Sequence, residues 1–305
     1  MSFSGRVKEE LMEQIGAARH CQIAELSSLF CFCGRIVTDP SHRIRIRFHA
    51  ENDRVIRKCF TLIKKTFNIN TCILGRGPFS LEITDEEEIK KLLLAMKIMD
   101  TNGGTLGRTD IVNPLLLKSA CCRRAFLRGA YMVVGSMSDP EKSYHLEFVC
   151  DTVQAAQQLQ DVMAGFDLEA KLIERKGRQV VYIKEGTAIV DLLNIMEAHV
   201  SLMSLENLRI VKEVRNSVNR RVNCEAANIR KTVNASSKQI EDITLLRDRV
   251  GLKNLPDNLR EMAEVRLEYP DATLSELGTY LEPPVGKSGV NHRLRKLSEL
   301  ADEIR

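Results

Sequence analysis

The sequence predicts an α+β fold: a duplicated helix–strand–helix–hairpin–helix unit, followed by an all-α domain that carries a helix-turn-helix. The duplication rests on spacing. Gly34 and Asp39-Pro40 recur as Gly135 and Asp139-Pro140 about 101 residues later, and the same order of segments follows each. The all-α end rests on the last 70 or so residues, where every apolar run has helical spacing and is cut by proline, glycine or a capping residue. A length of 305 residues suits two or three domains at ~100–200 residues each. A hydrophobic fraction of 44% against 28% charged residues supplies a real core and excludes general disorder. The net charge of +4 is too small to name a nucleic-acid partner by itself. No run approaches the ~18 apolar residues of a membrane span. The opening MSFSGRVKEELMEQIG has acids and no apolar core of a secretory signal. A soluble cytoplasmic protein is expected.

Taken in order, residues 1–20 read as an N-terminal helix. Ala24–Cys33 is an almost wholly apolar helix stopped by Gly34. After the Asp39-Pro40 turn, HRIRIRFHA alternates strictly, with Ile44, Ile46 and Phe48 on one face and Arg43, Arg45 and Arg47 on the other. That period of two is a half-buried strand. Asn52–Phe67 is an amphipathic helix, and residues 69–74 and 79–83 are strands joined by Gly75-Arg76-Gly77-Pro78. Asp85–Met99 is a helix with acids at its start, where the helix dipole favours them. The second half repeats this with a helix at 119–134, a strand at 144–149, a helix at 152–165, strands at 171–175 and 179–184, and a helix at 187–199. The duplicated domain therefore spans 21–200, with pseudo-repeats at about 21–100 and 115–200 and a loop over 100–114.

The character changes after residue 200. Over 201–240 eight basic side chains face three acids, a local charge of +5. Arg215, Asn219 and Arg220 lie in this stretch, which is dense in asparagine, a mediocre helix former. Capping, a broken or kinked helix, or polar contacts with a ligand would each account for it. Val211, Val214, Val218, Val222, Ile229 and Val233 keep a helical apolar stripe through it. Residues 201–234 are read as a basic linker, joined to the first domain by a tether or by continuous helix. Residues 235–305 form the C-terminal domain, its first helix capped by Ser236-Ser237-Lys238-Gln239.

Within that domain TLSELGTYLEPPVGKSGVNHRLRKL reads as helix, turn, helix. Thr273-Leu274-Ser275-Glu276 is a capping box. Leu274, Leu277 and Leu281 give the first helix its buried face, and Val290, Leu294 and Leu297 the second. Ser288, Asn291, His292, Arg293, Arg295 and Lys296 then point outward, preceded by Lys287. Such a face suits DNA, because Arg and Asn pair with base edges while Lys and hydroxyls meet phosphates. An ordinary helical pair with an exposed basic end has the same pattern. The arginines at 43, 45 and 47 offer a second basic surface, equally readable as a solvated sheet face. The nine cysteines are odd in number and sit mostly in apolar stretches, so they read as buried thiols and not as a disulfide framework. Among them Cys31, Cys33, Cys121 and Cys122 are one combination that could meet around a metal.

Two resemblances sharpen this picture. LFCFCGRI at 29–36 and LRGAYMVVGSM at 127–137 resemble the signature helices of the LAGLIDADG homing endonucleases. That likeness implies a duplicated αββαββα domain in which the two signature helices pack on each other. It also implies that an acid just before each terminal glycine holds a divalent metal for strand cleavage. Those positions are Cys33 and Val134 here. Mg²⁺ wants oxygen ligands, so the likeness comes without its metal site. The whole chain resembles the WhiA family of bacterial sporulation and cell-division regulators, through FSGRVKEEL, AFLRGAYMVVGSMSDP at 125–140, NLRIVKEVRNSVNRRVNCEAANIRKTV and LGTYLEPPVGKSGVNHRLRKL. This implies a degenerate LAGLIDADG domain joined to a helix-turn-helix similar to the promoter-reading domain of sigma factors. It further implies a non-enzymatic DNA-binding role in transcription, sporulation or cell division and chromosome segregation.

The expectation is thus a regulator that binds double-stranded DNA, is associated with the nucleoid, needs no cofactor and no small-molecule substrate, and has a transcription or cell-division protein as a further partner. The competing readings are a nuclease using Asp100 or Asp139, and a cell-division scaffold with only non-specific DNA anchoring.

Overall fold

The computed structural model describes residues 1–38, 43–75, 78–100 and 107–305. The expected Asp39-Pro40 turn, Arg76-Gly77 of the first hairpin and residues 101–106 of the loop between halves lie outside the described residues. By contacts the chain divides into two units, Met1–Val211 and Lys212–Arg305.

In the first unit the N-terminal segment is α1 (Phe3–Glu13), which buries Phe3, Val7 and Leu11 at helical spacing and is capped by Ser2. The helix expected over 1–20 stops here because Gln14 turns extended, and a new helix starts before Ala24, at Arg19. Two equivalent halves follow. The first runs α2 (Arg19–Cys33), β1 (Gly34–Thr38), β2 (Ile44–Ala50), α3 (Asp53–Phe67), β3 (Ile73–Leu74), β4 (Phe79–Ile83) and α4 (Glu86–Ala95). The second runs α5 (Ala120–Val134), β5 (Gly135–Met137), β6 (Leu146–Cys150), α6 (Val153–Ala164), β7 (Lys171–Arg175), β8 (Arg178–Ile183) and α7 (Gly186–Ile195). Each half is αββαββα, and each sheet is antiparallel in the order β1-β2-β4-β3 or β5-β6-β8-β7.

Strands β1 and β5 are additions to the sequence reading. They are edge strands, β5 only three residues long and β1 without clean alternation, which leaves no period to detect. The two glycines explain how they start. At Gly34 and Gly135 the chain passes from helix to strand with no loop. A Cβ on Gly34 would lie 2.3 Å from the Phe30 ring, and one on Gly135 2.4 Å from the Tyr131 ring. Those rings are themselves equivalent: Phe30 meets Phe48 edge-on at 5.7 Å, and Tyr131 meets Phe148 at 5.9 Å.

Helices α2 and α5 pack on each other at the centre and bury most of their circumference. Their closest approach is at Gly129, where a Cβ would lie 2.8 Å from the Glu25 carbonyl oxygen and 2.9 Å from Ser28 Cβ. Ser28, the 101-residue equivalent of Gly129, donates its hydroxyl to the Phe126 carbonyl at 2.7 Å. A buried charge network braces the crossing. Glu25 is fully buried, with Lys58 Nζ at 3.0 Å and Arg128 Nη2 at 3.1 Å. Arg128 also reaches Glu197 at 2.8 Å, and Lys58 donates to the backbone carbonyls of Leu11 and Gln14. Burial holds the Lys58 ammonium below the ordinary lysine value, with Glu25 opposing that shift.

The segment after α7 is one uninterrupted helix, α8 (His199–Arg249). The asparagines do not break it. Ser236 opens no helix and lies inside α8, donating its hydroxyl to the Pro270 carbonyl at 2.6 Å. The joint expected between residues 234 and 235 therefore coincides with no break in secondary structure.

The second unit adds α9 (Asp257–Glu268), α10 (Leu274–Thr279) and α11 (Lys287–Ile304). Its own core combines Ile243 and Leu246 of α8 with Leu259 and Met262 of α9, Leu277 of α10 and Val290, Leu294, Leu297 and Ala301 of α11. No helix among the described residues is long and apolar enough to cross a membrane.

Two substitutions test the central crossing. Glu25→Ala strands two buried cations and is expected to cost about 3–5 kcal/mol, read from the denaturant midpoint. Gly129→Leu overpacks the closest approach and is expected to cost at least about 1–3 kcal/mol by the same measurement.

Candidate nucleic-acid interface

The α10–turn–α11 element is built from the capping residues upward. Thr273 Oγ1 accepts from the Glu276 amide at 3.4 Å while Glu276 accepts from the Thr273 amide at 2.8 Å, so the expected capping box is present. The turn is held tight by two glycines. The Val285 amide donates to the Gly278 carbonyl at 2.9 Å, and a Cβ on Gly278 would sit 2.0 Å from the Val285 oxygen. A Cβ on Gly289 would strike the Val285 side chain at 2.4 Å. Only these small positions let the turn fold against both helices.

Helix α11 then buries Val290, Leu294, Leu297 and Ala301 and exposes Lys287, Ser288, Asn291, His292, Arg295 and Lys296. Ser288, Asn291, His292 and Arg295 follow the i, i+3, i+4, i+7 spacing of a single face. No acid stands in the first turn and Gly286 offers no capping side chain, so the positive end of the helix is left for an anion.

One of the expected outward residues does not belong there. The Arg293 side chain is 20% exposed, lies 3.5 Å from Glu261 and donates to the Asn258 carbonyl at 3.4 Å, tying α11 to α9. The sequence reading missed this because position 293 borders the buried stripe, and a long cation there can reach a neighbouring helix. Arg295, 76% exposed, pairs with Glu299 one turn on at 3.0 Å, a contact that water or phosphate can replace.

The other basic residues are placed as follows. Arg215, Asn219 and Arg220 are exposed on α8, in a stretch where the whole circumference faces solvent. Val211, Val214, Val218, Val222, Ile229 and Val233 are also there, 45–64% exposed, so the apolar stripe expected beneath this segment covers no core among the described residues. On the first sheet Arg45 and Arg47 share the outer face, and Arg43 precedes the strand, exposed. Arg47 donates to Glu82 at 2.6 Å across the β2–β4 register, and Arg45 lies 4.0 Å from the same carboxylate. Glu82 thus offsets part of that face. On the second sheet Glu147 takes the place of Arg47, between His145 at 3.1 Å and Arg175 at 3.4 Å.

The positions of the signature acids are occupied as the sequence says. Cys33 is buried at the end of α2 beside Cys59, and Val134 is half-buried at the end of α5. Neither carries an oxygen. Asp139 makes an Asx turn, its carboxylate accepting from the Glu141 amide at 3.1 Å. Cys31 and Cys33 do not come together with Cys121 and Cys122. The latter two meet His20 and Cys21 instead, at the other end of the crossing. The sequence reading missed that pairing, although the 101-residue offset relates His20 to Cys121 and Cys21 to Cys122.

Comparison with known proteins agrees with this architecture. Residues 19–84 match the WhiA N-terminal LAGLIDADG-like domain, 123–215 the WhiA LAGLIDADG-like domain and 218–301 the WhiA C-terminal HTH domain. The chain is 50% identical to the probable cell division protein WhiA of Lachnoclostridium phytofermentans and 46% identical to that of Alkaliphilus oremlandii. All of this chain is covered in both cases, with 100% and 98% of the relatives. The crystal structure of full-length DUF199/WhiA from Thermatoga maritima covers 99% of each chain, with a TM-score of 0.60 and 24% identity, and shares the fold. Matched along its length by the family's three domains and by full-length relatives, the chain belongs to the WhiA family.

Proposed function

We propose that this chain is a DNA-binding regulator in which α11 reads the major groove and the LAGLIDADG-like domain no longer cleaves. The observation that carries the reading is the composition of the exposed α11 face, Lys287, Ser288, Asn291, His292, Arg295 and Lys296, on a helix packed by its opposite side onto α9 and α10. Asn291 and Arg295 have the side chains for bidentate contacts to adenine and guanine edges, and the others suit phosphate. Arg215, Asn219 and Arg220 on α8 act as further backbone contacts, together with Arg43, Arg45 and Arg47 on the first sheet. The relatives carry the name cell division protein, which supports a role in division. Transcriptional control, sporulation, chromosome segregation and association with the nucleoid in the cytoplasm belong to the same proposal. Loss of cleavage follows from Cys33 and Val134, since neither a thiol nor an isopropyl group replaces a carboxylate on Mg²⁺.

A second reading has its own observation. The exposed apolar stripe of α8 suits a protein partner, such as a transcription or cell-division protein, in which case DNA contact is only non-specific anchoring.

Salt titration separates the two. A phosphate-bound chain loses affinity linearly in log salt, at about 0.9 per neutralised phosphate. Arg215→Ala and Arg220→Ala are each expected to reduce that slope by about 1. Arg295→Ala or Asn291→Ala is expected to cost about 1–3 kcal/mol on a specific site and much less on random DNA. Equal losses on both would make them phosphate contacts only. For the nuclease domain, the double variant Cys33→Asp/Val134→Asp is expected to stay uncleaving with Mg²⁺ in a plasmid-nicking assay, because supporting second-layer contacts are needed as well as ligands.

A further inference from the structure

Helices α2 and α5 begin side by side, and their first turns bring four metal-binding side chains together. The ligand atoms of His20, Cys21, Cys121 and Cys122 all lie within 4.8 Å of one another. His20 Nδ1 is 3.1 Å from Cys122 Sγ and 3.4 Å from Cys21 Sγ. Sulfur and nitrogen ligands at about 2.3 and 2.0 Å from a tetrahedral ion stand roughly 3.5–3.8 Å apart, so sub-ångström adjustments complete the polyhedron. Cys21 and Cys122 are buried, whereas His20 and Cys121 are exposed, which gives the ion a protected seat and an entry side. The set obeys the internal symmetry, since each helix contributes two consecutive residues and the pairs are 101 positions apart.

We propose that His20, Cys21, Cys121 and Cys122 form a structural zinc site that clamps the N-terminal ends of the two central helices. Three thiolates and one neutral imidazole are a closed tetrahedral set of the kind zinc takes when it serves structure. Binding releases the three thiol protons to solvent and leaves the complex with a net charge of −1. Both helices favour that charge: neither first turn contains an acid and neither N-cap side chain accepts a hydrogen bond, so the amide ends of α2 and α5 face it uncompensated. The site is distinct from the lost cleavage site, which belongs to the opposite ends of the same helices at Cys33 and Val134.

The test uses the full chain, purified without chelator in a non-thiol reductant, with metal read by elemental analysis. About one zinc per chain is expected. Cobalt(II) added to the stripped chain is expected to show the ligand-field and sulfur-to-cobalt charge-transfer bands of a tetrahedral thiolate site. Cys21→Ser/Cys122→Ser is expected to lose both zinc and bands, while Cys72→Ser/Cys224→Ser, at exposed thiols elsewhere, keeps them. Because the buried pair also packs the crossing, Cys121→Ser is included at the exposed ligand. It is expected to keep its far-UV circular dichroism and to bind cobalt at least ~tenfold more weakly. A wild-type chain that neither carries zinc nor takes up cobalt overturns the proposal. So does a cobalt spectrum that persists in Cys21→Ser/Cys122→Ser, or undiminished cobalt affinity in Cys121→Ser.

Discussion

The crossing of α2 and α5 is the constraint on which the first unit depends. Backbones approach there so closely that Gly129 has no room for a Cβ and its equivalent, Ser28, uses its hydroxyl on the facing carbonyl. Both helices are buried nearly all round, so each sheet and its outer helices have a fixed body to pack on. The aromatic pairs Phe30–Phe48 and Tyr131–Phe148 transmit that geometry to the two sheets in the same way. The charge network breaks the internal symmetry, since Phe126 stands where the repeat would place Glu25. Glu25, Lys58, Arg128 and Glu197 link α1, α2, α3, α5 and the turn between α7 and α8. Such a network costs desolvation, but removing one member costs more, because the remaining charges are left buried without a partner.

This arrangement keeps a LAGLIDADG-like architecture with no side-chain carboxylate at the two signature positions, Cys33 and Val134. The resemblance to the LAGLIDADG homing endonucleases implies an acid at each of those helix ends. Here the same ends bring a thiol and a valine, and Cys33 packs with Cys59 as part of the core. What remains is a pair of sheets with different outer faces: Arg45 and Arg47 beside Glu82 on the first, and Glu147 between His145 and Arg175 on the second. The second unit presents an exposed basic face on α11, its turn set by Gly278 and Gly289 and its orientation by the buried stripe of the helix.

Much of this was legible in the residues. The 101-residue recurrence announced the duplication, and the strict alternation of residues 44–48 announced β2. The capping box at Thr273 and the Val290–Leu294–Leu297 stripe announced α10 and α11. The misses have physical reasons. Strand β5 is only three residues long, and β1 has no clean alternation, so neither shows a period. The break after Glu13 has a weak signal in Gly16. The asparagines left capping, a broken or kinked helix and ligand contacts open, and α8 runs on through them, because propensity is a small term beside continuous hydrogen bonding. Arg293 faces inward because a long side chain at the edge of a stripe finds Glu261. Of the candidate site, the residue types on α11 were readable, but their partners were not. The meeting of His20 and Cys21 with Cys121 and Cys122 needed the crossing itself, since no local spacing links positions a hundred residues apart.

The central claim, a DNA-binding chain without cleavage, is tested most directly by mixing the protein with fragmented genomic DNA and Mg²⁺, recovering the bound fragments and sequencing them together with their ends. The account predicts enrichment of a shared site with no new ends. New ends at defined positions, or no enrichment above input, would contradict it.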